Sequence, residues 1–495
     1  MVRIVDQMGG TPVDQSGAGK TAGVVARVRA MVQDGTLAAG DALPSTRALA
    51  AELGVARGTV VSAYEQLDGE GWIRTRQGAV ARVAPGVPGM PVSAATTGPV
   101  RRSPARDASG PVPLLDARPG IPAVTAIATR DWRAAWRAAA DAPLRNALSD
   151  PAGLPELRAQ IAAQLGLRRG FAPDVSRVLV TGGTSEALSL VVEALRNHLG
   201  RTPRIAVEDP GYRSGRRAMT SAGAELVGVP VDDDGLDVDA LPALPPVDAV
   251  VVTPTHQYPL GSVMPVARRQ RLLSWAVDTA TTVVEDDYDS EFRHRGSPVP
   301  ALAALDTAGV VLHVGGFSKT LDPRLRCSYL VLPPGAVPDA VAAARVARGP
   351  VVAEPVQVAL AHLLRTGALR RHLGRVRRDY THRRELIASR LDGVPGLEAR
   401  ALNGGLHAVV TWSALATARA VVARTARAGV LVSALAEYEV APGSAPDGVV
   451  LGYGGLTLPE LDRALDALLG ALGGALGGAL GGSLGGALGG ALGQA

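Results

Sequence analysis

The sequence predicts an α/β protein in two parts: a winged helix-turn-helix head and a large body built on a mostly parallel sheet. Three observations carry this. Residues 20–83 read as helix, helix, turn, helix and hairpin. Residues 114–468 alternate short apolar runs with amphipathic helices, the pattern of βαβ units. Between them, 84–113 is rich in Pro, Gly, Ala and Ser and reads as a flexible linker. As a coil, a linker of that length spans roughly 30 Å. Residues 1–19 form an N-terminal extension and 469–495 a Gly/Ala/Leu low-complexity tail.

Composition bounds the function. The 495 residues are 47% hydrophobic but only 3% aromatic, so the core must be mostly Ala, Val and Leu. The single cysteine, Cys327, excludes a disulfide framework and a Cys-based zinc site, and reads as a small buried residue. The opening MVRIVDQMGG lacks the charged-then-apolar pattern of a secretory signal, so a cytoplasmic protein is expected. A net charge of +5 over this length permits nucleic-acid binding without arguing for it. Only two lysines occur, Lys20 and Lys319; every other basic residue apart from histidine is arginine. A lysine kept mid-chain is a candidate for chemistry that needs an amine.

In the head, 24–33 has helical periodicity, and a turn at Ala39-Gly40-Asp41 precedes Leu43-Pro44. Ser45 is placed to cap a helix over 46–53, which Gly54 ends. A third helix spans 57–68, and the runs 72–76 and 79–83 flank Gln77-Gly78 as a hairpin. In this layout the third helix enters the major groove, while the preceding helix and the wing touch phosphate. The candidate DNA-binding residues are Arg57 and Thr59, then Ser45, Thr46 and Arg47, and Arg74 and Arg76 on the wing.

The ordered segments G-x-L-A-x-G-x-x-L-P-S-T-R-x-L-A, L-G-V-A-R-G-T-V-x-x-A-Y-E-Q-L and G-W-I make 35–83 resemble the GntR-type winged helix. One departure is Ala56, where the family has a Ser that caps the recognition helix. Its loss costs about 0.5–2 kcal/mol.

In the body, predicted strands end in polar clusters. The strand 178–180 leads to Thr181-Gly182-Gly183-Thr184 and a helix over 185–199; 204–207 leads to Glu208-Asp209-Pro210-Gly211-Tyr212. The strand 249–252 leads to Thr253-Pro254-Thr255-His256-Gln257-Tyr258, 282–284 to Glu285-Asp286-Asp287-Tyr288, and 310–314 to Gly315-Gly316-Phe317-Ser318-Lys319. Ligands of open α/β sheets bind beyond such strand ends.

The clusters suggest one ligand. Thr184 and Ser185 begin a helix, a ready anion site, and Ser318 and Arg326 can add a hydroxyl and a guanidinium, which suits phosphate. A buried carboxylate at Asp286 or Asp287 needs a cation. The scarcity of His and Cys disfavours a metal, so a pyridinium fits better. Tyr212 offers a flat face and Lys319 an amine. Phosphate, ring nitrogen, ring face and amine together describe pyridoxal 5′-phosphate (PLP) held as a Schiff base.

The segments D-P-A-G-L-P-E-L-R, T-G-G-T-S-E-A-L, E-D-P-G-Y, T-P-T-H-Q-Y-P-L-G, E-D-D-Y-D-S-E-F, G-F-S-K-T-L-D-P-R-L-R and L-G-Y make 116–465 similar to fold-type I, class I aminotransferases. With its head, the chain resembles the MocR/GabR-type regulators. The resemblance implies that Lys319 carries the cofactor, Asp286 pairs with the ring nitrogen, Tyr288 bonds the ring hydroxyl oxygen and Tyr212 stacks on the ring. It assigns the phosphate to Gly183, Thr184, Ser185, Ser318 and Arg326. It also implies a homodimer, because the family's sites are shared between two subunits. The implied function is a PLP-dependent transcriptional regulator that binds a double-stranded DNA operator and senses an amine, an amino acid or PLP itself. The rivals are a working aminotransferase with an accessory head, and a DNA-binding protein whose body serves only to dimerise.

Departures from the family pattern qualify these roles. Leu148 replaces a Tyr that reaches the neighbour's phosphate, and Gly316 a Thr or Ser hydroxyl, so looser cofactor binding is expected. Val449-Val450 stand where transaminases carry an Arg for the substrate carboxylate, and Tyr258 where they carry an Asn. His407 is expected to be structural, and Asp232-Asp233-Asp234 a solvated turn. The tail repeats Leu every fourth residue from Leu472, but its glycines cost about 1 kcal/mol each in a helix. It reads as a poorly ordered extension, with a membrane anchor as the alternative.

Overall fold

The computed structural model describes residues 17–75, 80–85, 114–144, 146–292, 300–413 and 416–479. The chain divides into two compact units, within residues 1–109 and 110–495. The predicted linker lies almost wholly outside the described residues, as do Arg76 and the hairpin tip.

The first unit is the expected winged helix. Its first helix, Gly17–Gln33, begins earlier than the periodicity indicated. The second, Thr46–Leu53, is capped as expected: the Ser45 hydroxyl accepts from the Ala48 N–H at 3.2 Å, and Gly54 closes it at φ 64°. The third, Arg57–Gly69, has no side-chain cap at Ala56. Ile73–Arg74 and Arg82–Val83 pair antiparallel as the base of the wing. Val28, Leu49, Val60, Leu67 and Ile73 are buried between these elements. Buried Tyr64 donates from its hydroxyl to the Pro44 carbonyl at 2.9 Å, fixing the third helix to the turn before Ser45. The missing cap yields a prediction. Ala56→Ser should stabilise the Arg57–Gly69 helix by about 0.5–2 kcal/mol, read as slower amide exchange at its first turn; unchanged exchange would show that Ser cannot cap there.

The second unit holds an eight-stranded sheet in the order 178–181, 328–331, 311–316, 282–287, 249–252, 204–209, 225–232, 235–236. Six strands run one way; only Ser328–Val331 and Gly235–Leu236 run against them. The carboxyl ends of Val178–Thr181, Arg204–Asp209, Ala249–Val252, Thr282–Asp287 and Val311–Gly316 therefore share one edge. The helix Thr184–Leu199 covers one face, burying Leu188, Val191 and Leu195 against Ile205, Leu312 and Leu330. A second, antiparallel sheet (397–400, 407–412, 448–452, 433–434) packs with the helices Ala368–Leu391 and Leu458–Ala479.

Two expectations need correction. The strand Thr282–Asp287 does not stop at Val284. It continues through Glu285-Asp286-Asp287, with Asp286 opposite Val314 and Asp287 opposite Gly315. Arg204–Asp209 and Val311–Gly316 extend likewise. Buried partners elsewhere in the chain, His313 and Arg169, let Glu285 and Asp287 stay in the sheet. The tail is not all irregular either: 469–479 continues the last helix. Leu468, Ala471 and Leu472 are buried in the core, which offsets the helical cost of the glycines. Residues 480–495 lie outside the description. No helix among the described residues is long and apolar enough to cross a membrane.

Candidate functional site

All nine residues named above for the body line one cavity of about 370 Å³ at the carboxyl edge of the large sheet. One group of its lining residues has the chemistry to hold an anion. Gly183 sits ahead of the helix Thr184–Leu199 at φ 117°, a region that favours glycine. A Cβ there would lie 3.3 Å from Arg326 Nη2, so a side chain would crowd the guanidinium. The helix opens with Thr184 and Ser185, presenting its free N–H groups to the cavity. Arg326 holds a left-handed backbone, φ 47° and ψ 46°, at a cost of about 1–2 kcal/mol for a residue with a Cβ. Such strain persists where the surroundings fix a side chain's position.

Asp286 lines the same cavity with the opposite chemistry. It is buried, and its Oδ1 has no hydrogen-bond partner among the described residues. Burial and the carboxylates of Asp287, Glu208 and Asp289 push it up to about 8, against the pull of Lys319. The neighbouring carboxylates do have partners. His313 is fully buried, with Nδ1 2.9 Å from Glu285 Oε2. Arg169 pairs with Asp287 at 2.7 Å and donates to the Thr255 hydroxyl at 2.9 Å. Burial alone would raise Glu285, but His313 and Arg169 hold it down to about 2. Asp286 is thus the carboxylate left to face the cavity, primed for a cation from a ligand.

Lys319 Nζ donates to the Gly120 carbonyl at 2.9 Å. Burial lowers the amine's pKa, opposed by Asp289 and Asp286, which favours the unprotonated, nucleophilic form. Tyr212, Tyr258 and Tyr438 form an aromatic wall, with Tyr258 edge-on to the other two at 6.1 and 5.5 Å. The Tyr288 hydroxyl lies 2.9 Å from His256 Nδ1, which is also 2.8 Å from Asp289 Oδ2.

Sequence reasoning missed the Arg169–Asp287–His313–Glu285 network, Gly120 and Ser328. His256 lies in the T-P-T-H-Q-Y-P-L-G segment, and its partners Asp289 and Tyr288 lie on a different strand end. His407 is structural, as expected: its Nε2 is 2.9 Å from the Pro259 carbonyl oxygen, and burial with His256 pushes it down to about 4. Cys327 is buried, its thiol pushed up to about 12. The Asp232-Asp233-Asp234 segment is an exposed turn, as expected, with Asp232 paired to Arg268 and Asp233 to Arg400 at the surface.

In the head, Arg47, Arg57 and Arg74 are exposed, and Thr46 and Thr59 half-buried. Ser45 is exposed, with one lone pair committed to the cap.

Comparison with known proteins agrees with both units. Residues 20–83 match the family of bacterial regulatory proteins, gntR family, and 120–468 match aminotransferase class I and II. The chain is 39% identical to the HTH-type pyridoxine biosynthesis transcriptional regulator PdxR of Corynebacterium glutamicum, over 86% of this chain and 90% of that one. It is 33% identical to the probable rhizopine catabolism regulatory protein MocR of Rhizobium meliloti, over 73% and 75%. The body shares its fold with Pyrococcus horikoshii kynurenine aminotransferase, at TM-score 0.66 and 24% identity, covering 74% of this chain and 92% of that one. The chain belongs to the MocR/GabR-type transcriptional regulators, in which a GntR-family DNA-binding head is fused to an aminotransferase class I and II body.

Proposed function

We propose that this regulator binds PLP in the body cavity and that occupancy of the cavity, by PLP or by an amine reacting with it, changes how the heads bind operator DNA. The observation that carries the reading is one cavity lined by a helix N-terminus with Arg326, by a buried carboxylate whose Oδ1 has no partner among the described residues, and by an amine whose pKa burial lowers. The residues fit the cofactor. Gly183, Thr184, Ser185, Ser318 and Arg326 suit the phosphate, Asp286 the ring nitrogen, Tyr212 the ring face and Tyr288 the ring hydroxyl. PLP, when bound, supplies an amine-reactive aldehyde and an electron-accepting ring. The chain's own part is to bury Lys319 Nζ, which lowers its pKa, hold a negative charge at Asp286 beside a cationic partner, and wall the site from water with Tyr258 and Tyr438.

The relative named for pyridoxine biosynthesis supports PLP itself as the signal. Steady transamination is the weaker reading. Val450, at the expected carboxylate-binding position, is fully buried among Val409, Leu435 and Tyr438. Among the described residues the cationic side chains lining the cavity are Lys319, Arg213, Arg217 and Arg326, and Arg213 is paired with Glu437. We place the protein in the cytoplasm as a homodimer; the fully exposed Leu144 and Leu148 support a covered surface there.

The DNA-reading residues proposed are Thr46, Arg47, Arg57, Thr59 and Arg74, with Ser45 donating to phosphate and Arg76 on the wing tip. On a duplex selected by the full chain from a random pool, Arg57→Ala should cost about 1–3 kcal/mol and relax base preference. Arg47→Ala should weaken all sequences alike and lower the salt slope by about 0.9. Binding unchanged in both variants would remove this face from consideration. For the cofactor reading, the test is titration of the full chain with PLP and with amine panels, read by binding to that duplex. Steady ketoacid release with no change in DNA binding would favour the enzyme instead.

A further inference from the structure

Gly316 and Ser328 face each other across the antiparallel pair of strands Val311–Gly316 and Ser328–Val331. Both line the cavity, beside Ser318, Lys319 and Arg326. A Cβ added to Gly316 would lie 2.3 Å from Ser328 Oγ and 3.1 Å from Ser328 Cβ. The Ser328 hydroxyl therefore occupies the space that a side chain at 316 would take. There is room for one side chain, not two. Ser328 is 1% exposed, and its Oγ has no hydrogen-bond partner among the described residues. Buried hydroxyls are nearly always paired, and an unpaired one in a native fold calls for an explanation. Thr181, opposite Ser328 on its other neighbouring strand, also has an unpaired hydroxyl, but it does not line the cavity.

We infer that Ser328 is a phosphate donor of this site, its hydroxyl entering from the neighbouring strand in place of the one that Gly316 lacks. The inference rests on the PLP reading above. It reverses part of an expectation from sequence: the hydroxyl missing at Gly316 is relocated rather than lost, and cofactor binding is not weakened on that account. It also explains Gly316, since any side chain there would collide with the donor.

The test is equilibrium titration of the cofactor-free full chain with PLP and, separately, with pyridoxal, which lacks the phosphate. Ser328→Ala should lose roughly 10–150-fold in PLP affinity, the size of one hydrogen bond to a charged group, and leave pyridoxal affinity unchanged. Gly316→Ser alone should lower the melting temperature because two side chains compete for one space. The double variant Gly316→Ser with Ser328→Gly should recover both the melting temperature and PLP affinity to within about threefold of the parent. Equal PLP affinity in Ser328→Ala and parent overturns the inference while leaving the PLP site standing. So does an equal loss of PLP and pyridoxal, which would mark damage to the fold. A parent chain that binds no PLP overturns both.

Discussion

Lys319→Ala is expected to abolish covalent attachment of PLP altogether. After borohydride treatment the parent chain should carry one phosphopyridoxyl group, within the peptide containing Lys319, and the variant none. The sequence makes this unusually clean, since the only other lysine is Lys20 in the head. The physical ground is the lowered pKa of the Lys319 amine, whose main cause is burial. An amine with a depressed pKa keeps its lone pair free to lower pH than an exposed lysine. Attachment at Lys319 should accordingly persist to lower pH than attachment to an ordinary exposed lysine would. PLP affinity should fall by about tenfold, or 1.4 kcal/mol, rather than vanish, because the anion-binding groups and Asp286 remain. Labelling of Lys20 in the parent, or no labelling at all, would remove Lys319 from its role.

The second large effect is a trade between binding and stability at Asp286. Asp286→Asn keeps the shape but removes the charge. Loss of a charge-assisted hydrogen bond costs about 1.5–3 kcal/mol, so PLP affinity should fall roughly 10–150-fold. The cofactor-free variant should meanwhile be more stable than the parent. The sign follows from linkage. Asp286 is an acid whose folded pKa, about 8, lies above its ordinary value of 3.8. The unfolded chain therefore loses this proton first, and the group destabilises the fold increasingly as pH rises from about 4 to 8. Asn carries no such penalty. Denaturant melts of the two cofactor-free chains should coincide near pH 4 and diverge toward pH 8 in favour of Asn. A variant less stable at pH 8, or one with parental PLP affinity, would show that Asp286 is already satisfied within the fold.

Much of this was legible in the sequence because it is local. Ser45 and Gly54 bracket a helix whose caps act over three or four residues, and Thr184 opens a helix directly after a glycine. Apolar runs flanked by polar clusters marked five strands of the sheet in order. What could not be read depends on partners far along the chain. Glu285-Asp286-Asp287 looked like a loop because three carboxylates in a strand are unfavourable alone; His313 and Arg169, 28 and 118 residues from their partners, make Glu285 and Asp287 tenable. Ser328 drew no notice because its meaning lies in the register that sets it opposite Gly316. The helix over 469–479 was hidden because glycine propensity argues against it, while the core that buries Leu472 lies elsewhere in the chain.

The central claim is that the Lys319 cavity governs the head. The most direct measurement is affinity for the selected duplex, with and without PLP, in the parent chain and in Lys319→Ala at equal concentration. The account predicts that PLP, at a concentration that fills the parent but not the weaker-binding variant, shifts the parent's affinity by a factor of about 5–150, the usual range for coupled sites, and leaves the variant's nearly unchanged. An equal shift in both proteins, or none in either, would contradict it.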